Sequence, residues 1–233
     1  MRSQKSFRYL IMTVVVVFFL AGTQLASAQM PGMPNMPKMY GEFKMPPVGS
    51  YVIYKATYAQ NKMVKTTKMS IVGKEKSDKG EDVYWYEIQD IDPKSGDAII
   101  TKMLISGNPQ DVGTMYRMIF KNGKQQAMEL SPDFIKMVNA SPTPQKDAAD
   151  QPKVKNLGTE KLKVGTQTLD CAHMRYTVMD KTTADVWSNA KVPLFGMVKT
   201  TTPDVTFELS GYGTDAVSAI TEEPKVLEIP GQK

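Results

Sequence analysis

From Gly49 onward the apolar residues of this chain recur at every second position, the spacing at which side chains share one face of a β-strand. Leu162 and Val164 alternate with Lys161 and Lys163, and Val205, Phe207 and Leu209 with Thr206, Glu208 and Ser210. Val112, Tyr116, Met118 and Phe120 alternate in the same way with Met115, Arg117 and Lys121. Further strands are expected near 50–59, 64–75, 82–91, 98–106, 168–179, 183–189 and 195–202. Turn chemistry at Asp78-Lys79-Gly80, Pro93-Lys94-Ser95-Gly96, Gly107-Asn108-Pro109 and Lys121-Asn122-Gly123 separates several of them. About ten short, one-sided strands predict a mainly β fold, a curved antiparallel sheet or incomplete β-barrel.

One stretch breaks the pattern. Ser131-Pro132-Asp133 offers a capping hydroxyl, a proline at the first helical position and an acid in the first turn. Phe134, Met137 and Val138 then share a helical face, which predicts a single short helix of about two turns. Residues 139–156, with Pro142, Pro144 and Pro152 among polar neighbours, read as a mobile loop, and 221–233 as a polar tail that frays. Because each one-sided group of strands needs a partner for its apolar face, residues 48–220 are expected to form one domain.

The first 28 residues read as an address. Arg2, Lys5 and Arg8 precede an apolar run from Tyr9 to Ala21, and Ala26-Ser27-Ala28 supplies a small-residue cleavage site. That run of about 13 residues is shorter than the roughly 17–25 a spanning helix needs, so a secretory signal cleaved after Ala28 is expected. Leu20-Ala21-Gly22-Thr23 resembles a lipoprotein box with Thr in place of the lipid-bearing Cys, so the exported chain is expected free in the periplasm. The formal charge of +5 shrinks with the leader: taking its three basic residues from 29 leaves 26 against 24 acidic. A near-neutral chain lacks the basic surface that nucleic acid requires.

Residues 29–47 form a Met/Pro-rich flexible leader in which Met30, Met33, Met36 and Met39 recur every third residue. A polyproline-II period would align these four thioethers, soft ligands suited to Cu(I). Without a His or Cys to reinforce them, an extended linker is the favoured reading, and no cofactor is expected. One His and one Cys in the whole chain exclude a zinc cluster or a disulfide framework.

Catalytic motifs are absent. Cys171 and His173 stand two apart on an expected strand, but Leu169 and Cys171 continue one apolar phase while Ala172, Met174, Tyr176 and Val178 occupy the other. That switch implies a bulge or a strand buried on both faces, and a buried Cys behaves as a small hydrophobe. The carboxylates Glu81-Asp82, Asp90 with Asp92, and Glu222-Glu223 stand beside turn or tail signals, where solvated acids are the norm. There is no phosphate loop, dinucleotide fingerprint or Gly-x-Ser-x-Gly elbow. Tyr84, Trp85 and Tyr86 put Trp85 on the face opposite its neighbours, and with Trp187 and Phe195 they read first as packing residues. No catalytic or metal-binding residue is assigned, and the ligand-binding residues stay unassigned.

The segments Gly158–Thr166, Leu169–Cys171, Thr183–Ser188 and Val192–Lys199, with their Trp187-x(5)-Pro193-Leu194-x-Gly196-x-Val198-Lys199 string, resemble uncharacterised exported bacterial proteins near the outer-membrane lipoprotein-sorting (Lol-type carrier) superfamily. That resemblance implies an unclosed barrel with helix over its mouth and a hollow for acyl chains, though no individual lipid-contacting residue transfers to this chain. The expectation is an exported, non-enzymatic β protein that binds lipid or lipoprotein acyl chains or another apolar ligand in a concave face, with at most peripheral contact with the envelope membrane. The alternatives are a structural or interaction module of the envelope with a filled core and a Met-rich copper-binding protein. Inward-facing Val198 and Phe207 are positions where a charge should cost binding or folding.

Two outcomes are expected from the chain recovered after export. Its intact mass should begin at Gln29, and a Cu(I) titration should give equal affinity for it and for a variant lacking residues 29–47. A loss of affinity in the variant would assign copper to the methionines.

Overall fold

The computed structural model describes residues 45–93, 95–108, 114–140, 153–178 and 182–227. The signal segment, Met30, Met33, Met36, Met39 and most of the loop at 139–156 therefore lie outside the described residues. Twelve strands form one open, curved sheet: β1 (Tyr51–Tyr58), β2 (Val64–Lys76), β3 (Asp82–Ile91), β4 (Ala98–Ser106), β5 (Met115–Asn122), β6 (Met128–Leu130), β7 (Lys153–Val164), β8 (Gln167–Val178), β9 (Thr182–Ser188), β10 (Met197–Thr201), β11 (Val205–Gly213) and β12 (Lys225–Leu227). Their order is β12-β6-β5-β4-β3-β2-β1-β11-β10-β9-β8-β7. Sequential hairpins account for most neighbours, and the pairing of β1 with β11 joins the two halves. The sheet does not close into a barrel. The tip of the β7–β8 hairpin comes back toward β11, where the Tyr212 hydroxyl donates to Gln167 Oε1 at 2.8 Å.

The expected mainly β class is the one observed, with three differences. The sheet is mixed, because β12 runs parallel to β6. β7 begins at Lys153 and is twelve residues long, so the expected loop ends earlier than its composition indicated. Its outer residues are almost all exposed and its sequence is lysine-rich, as befits an edge strand, and such a strand carries little apolar signal. The third difference is the tail: within 221–233, the described residues 221–227 are seated, through Lys225 N to Ala127 O at 2.9 Å and the strand β12, and 228–233 lie outside the described residues.

The single helix among the described residues, α1 (Pro132–Ala140), starts where the capping signals place it, with Phe134 N donating to Ser131 Oγ at 3.4 Å. Its buried side chains are Phe134 and Ile135, with Val138 partly covered, whereas Met137 is 42% exposed. Ile135 thus takes the place given to Met137 from sequence.

Register shows how the two faces of the β2–β5 region divide. Ile71, Tyr86, Met103 and Met118 stand directly opposite one another across four strands. A parallel row runs Val52, Met69, Ile88, Thr101, Phe120 and Met128. A bulge between Leu104 and Ile105 brings Met115 to this side as well and leaves Tyr116 to the other, reversing the phase expected for those two residues. The reverse face carries Val83, Trp85, Glu87, Ile100, Leu104 and Ile119.

After β11 the chain crosses that reverse face as a strap. Ala216 N donates to Gly49 O at 2.8 Å, and Ile220 packs into the cluster of Val83, Trp85, Ile100, Leu104 and Ile119. Glu222 pairs with Lys121 at 2.6 Å. Between these points lies Glu87, with 0% of its surface exposed. Its Oε2 accepts the Ser218 hydroxyl at 2.7 Å, and its Oε1 accepts Ala219 N at 3.1 Å and Gln89 Nε2 at 2.8 Å. Gly49 has φ +94°, and the Thr214 carbonyl occupies the space a side chain there would need, so only glycine fits at the crossing.

A buried carboxylate that loses its acceptor atoms strands the donors gathered around it. Glu87→Ala should therefore cost about 3 kcal/mol, and Glu87→Gln, which keeps an acceptor, clearly less. Urea unfolding measures both, and a wild-type midpoint for Glu87→Ala would show that the strap is held by apolar contacts alone.

Candidate functional site

Two places combine chemistry with a defined setting. The first is the apolar face of β3–β5. Tyr86 and Ile88 pack against the large cluster built on Val52, Tyr54, Met69 and Leu209. Across the sheet, Met115, Met118 and Phe120 pack under α1 with Leu130, Phe134 and Ile135. Met103 and Ile105, on the strand between, join neither cluster and stay part-exposed. They floor a strip of apolar sheet between two covered flanks. At its β2–β3 end a recess of about 500 Å³ is lined by Met45, Pro46, Pro47, Val48, Lys74 and Tyr84. The Lys74 ammonium lies 5.4 Å from the centre of the Tyr84 ring and 2.8 Å from Asp82.

Polar groups on this face are few. The Tyr54 hydroxyl donates to Met197 O at 2.9 Å, and Asp90 accepts the Thr67 hydroxyl at 2.7 Å. The Tyr86 hydroxyl oxygen is buried and has no hydrogen-bond partner. Burial holds the ionisation of Tyr54 and Tyr86 far above the ordinary tyrosine range. Both are neutral donors at any physiological pH.

The second place is a polar cluster on the opposite face of β7–β9. His173 is 7% exposed and stacks on Trp187, with ring centres 4.1 Å apart and planes at 19°. Its Nδ1 lies 2.8 Å from Glu160 Oε1, and Trp187 Nε1 donates to Glu160 Oε2 at 2.8 Å. Its Nε2 faces Asp185 Oδ1 at 3.6 Å, beyond hydrogen-bond length. Arg175 grips both oxygens of Asp185 at 2.7 and 2.8 Å. Lys199, paired with Glu208 at 2.9 Å, lies over Trp187 at 5.6 Å. Hydrogen bonds from Trp187 and His173 hold the Glu160 carboxyl below its usual range, and the Arg175 guanidinium does the same for Asp185. These contacts tie the edge strand β7 to β8 and β9.

Cys171 and His173 share a face of β8, as their spacing requires, but they do not form a reactive pair. Cys171 is fully buried, its thiol reaches Leu169 O at 3.5 Å, and burial pushes its pKa up, away from a thiolate. His173 gives its Nδ1 to Glu160 instead. The phase switch in β8 needs no bulge there: β8 pairs without a register shift against β9, buries Leu169 and Cys171 on one face and Tyr176 on the other, and the irregularity lies in β7 between Asn156 and Gly158.

Several of the carboxylates singled out from sequence hold turns or ion pairs. Asp82 binds Lys74 and Lys76, Asp92 accepts Ser95 N in a turn, and Glu222 binds Lys121. Trp85 faces away from Tyr84 and Tyr86, donates its indole N–H to Glu75, and has Lys102 at 4.9 Å and Arg117 at 5.1 Å from its ring. Among the described residues no group of His, Cys, Asp and Glu is placed to hold a metal ion, and no helix is long and apolar enough to cross a membrane. Val198 is 2% exposed at the bulge between β9 and β10, and Phe207 packs against the large cluster. Charges at either would be felt first as loss of fold. Sequence reasoning did not find Glu87 or the orphaned Tyr86 hydroxyl, since a single Glu in an apolar phase and a Tyr in a strand carry no separate signal.

No protein-family model matches the chain, and no curated protein matches it. Among solved structures it is similar to MucB, at 11% identity and a TM-score of 0.39, over 73% of this chain and 55% of MucB. MucB in complex with the periplasmic part of MucA gives 10% identity and 0.40, over 73% of this chain and 52% of that one. A candidate lipoprotein from Parabacteroides distasonis gives 11% and 0.38, over 73% of this chain and 97% of that one. The chain spans about half the length of MucB. At these scores the function has to be read from the chain's own residues.

The Arg175–Asp185 pair carries a pH signature. Because the folded Asp185 carboxyl lies below its unfolded value of about 3.9, its contribution is complete above that pH and disappears as pH falls through the folded value. Asp185→Asn should lower the melting temperature at pH 7, and the gap to wild type should close as pH falls through the depressed folded value. A constant gap across the whole range would remove the ion pair as the cause.

Proposed function

We propose that the protein is an exported, non-enzymatic carrier or receptor for a linear apolar ligand, held against the strip floored by Met103 and Ile105. The observation that carries this reading is that strip itself. Its neighbours on both sides are packed, yet the side chains of the strip between them stay partly exposed. Apolar surface left between two packed flanks is a place where an apolar ligand gains burial on both sides. Unbranched Met103 and Met118 can re-pack around chains of different shape, so affinity comes from burial at about 0.8 kcal/mol per methylene and not from one fixed geometry. A ten-carbon chain lying along the strip has several kcal/mol available before the cost of ordering it. Export follows from the charged, apolar and small-residue order of residues 1–28.

The test is uptake of a naturally fluorescent fatty acid by the chain from Gln29 onward. Saturable enhancement is expected for wild type. It should fall at least tenfold in Met103→Lys, whose ammonium would stand in the strip, while the melting temperature stays close to wild type because this side chain belongs to neither packed cluster. Wild-type protein that binds no apolar probe would transfer the reading to a filled interaction module.

A further inference from the structure

A Met-Pro pair recurs in this chain at Met30-Pro31, Met33-Pro34, Met36-Pro37 and Met45-Pro46, and neither the fold nor the proposed function has used it. The first three pairs belong to residues 29–44, outside the described residues, and the fourth shows where that segment leads. Met45, Pro46 and Pro47 line the recess of about 500 Å³ together with Lys74 and Tyr84. Lys74, Tyr84, Ile105 and Met115 stand in one row across β2 to β5, so the recess lies at the head of the strip. Ile105 is directly across the strand pair from Tyr84, and Met103 shares its face two residues earlier. Only one strand spacing, about 5 Å, separates the recess wall at Tyr84 from the apolar surface left between the two packed flanks.

We infer that residues 29–44 are the strip's own cover, an extended Met/Pro segment of the same chain laid over Ile105 and Met103 that any incoming ligand has to displace. The inference rests on the strip of the reading above and adds a competitor to it. The three-residue repeat suits the segment to that place: polyproline II puts Met30, Met33, Met36 and Met39 on one side, and its prolines reduce the entropy lost on docking. Such segments are received by apolar walls that carry aromatic side chains, as Tyr84 does here. At about 3.1 Å per residue, residues 40–44 span roughly 15 Å, more than the step from the recess to Ile105, and Met30 to Met39 extend roughly 28 Å beyond them. A tether this short gives the segment an effective concentration in the millimolar range, so weak apolar contacts are enough to seat it.

Oxidation by dilute hydrogen peroxide, followed methionine by methionine in a mass spectrometer, reads the cover without any ligand. Three proteins are compared: the chain from Gln29 onward, a variant lacking residues 29–44, which leaves every described residue in place, and a full-length variant with Met30, Met33, Met36 and Met39 all replaced by Ser. A cover seated about two-thirds of the time leaves the strip open for one-third, so Met103 should oxidise about threefold more slowly in the chain from Gln29 than in either variant. Met137, 42% exposed on α1, should react equally in all three. Both variants should also bind the fluorescent fatty acid about threefold more tightly. Equal Met103 rates in the three proteins overturn the proposal, and protection that disappears on dilution overturns it in favour of the leader of a second copy. Protection of Met103 together with no fatty-acid uptake by either variant keeps the cover and overturns the apolar-ligand reading, so the two failures are told apart.

Discussion

A carboxylate at the centre of a sheet face has to be given donors, and the way Glu87 receives them organises half of this protein. Strand β3 delivers it opposite Ser70 on one side and Lys102 on the other. Lys102 is itself half-buried over Trp85, and burial pulls its ammonium below the ordinary range against the opposing pull of Glu87. The remaining donors come from Ser218 and Ala219, more than 130 residues further along the chain. Meeting that demand draws the strap over Val83, Ile100 and Ile119, and the strap in turn delivers β12 to β6. The mixed character of the sheet is a consequence of that one buried charge and the segment it recruits.

With the reverse face sealed in this way, the other face of the same strands is free to stay partly open. A sheet with one face covered and one face bare is an ordinary antiparallel design. Here the large cluster covers the β1–β3 side of that face and α1 its β5 end, and Met103 and Ile105 stay part-exposed between them. The C-terminal half of the sheet solves a different problem. Its edge strand β7 has no neighbour beyond it, and the Glu160–His173–Trp187 and Arg175–Asp185 contacts tie it and β8 to β9 and hold the hairpin in place. Lysines along β7 discourage further strands from joining.

The strands were legible because alternation is a direct image of one-sided burial: β1 to β5 and β8 to β11 all lie where the period of two places them. The capping signals gave the start of α1 correctly. What could not be read was anything that depends on contacts across long stretches of chain. β6 and β12 are three residues each, too short to show a period; β6 is a strand because β5 and β12 flank it, and β12 because β6 lies beside it. The first residues of β7 are exposed on every position but one, so they look like loop. Glu87 and Tyr86 sit in strands whose alternation was recognised, but whether a polar group is paired or orphaned is decided by neighbours from elsewhere in the chain. The apolar strip follows the same rule: Met103 and Ile105 lie in an expected strand, and only the placement of α1 and of β1–β2 shows that a gap is left over them.

The strap also sets an order of events during synthesis. Strands β1 to β5 leave the ribosome long before residues 214–227, so Trp85, Ile100, Leu104 and Ile119 have no cover, and Glu87 lacks its strap donors, until nearly the whole chain has been made. A nascent chain in this condition cannot complete its first half early, however well its hairpins pair. The long sequence separation between Glu87 and Ser218 makes the final closure slow and all-or-none. A fold that cannot finish until its last residues arrive keeps the hairpins of its first half exchangeable and uncommitted for as long as synthesis lasts.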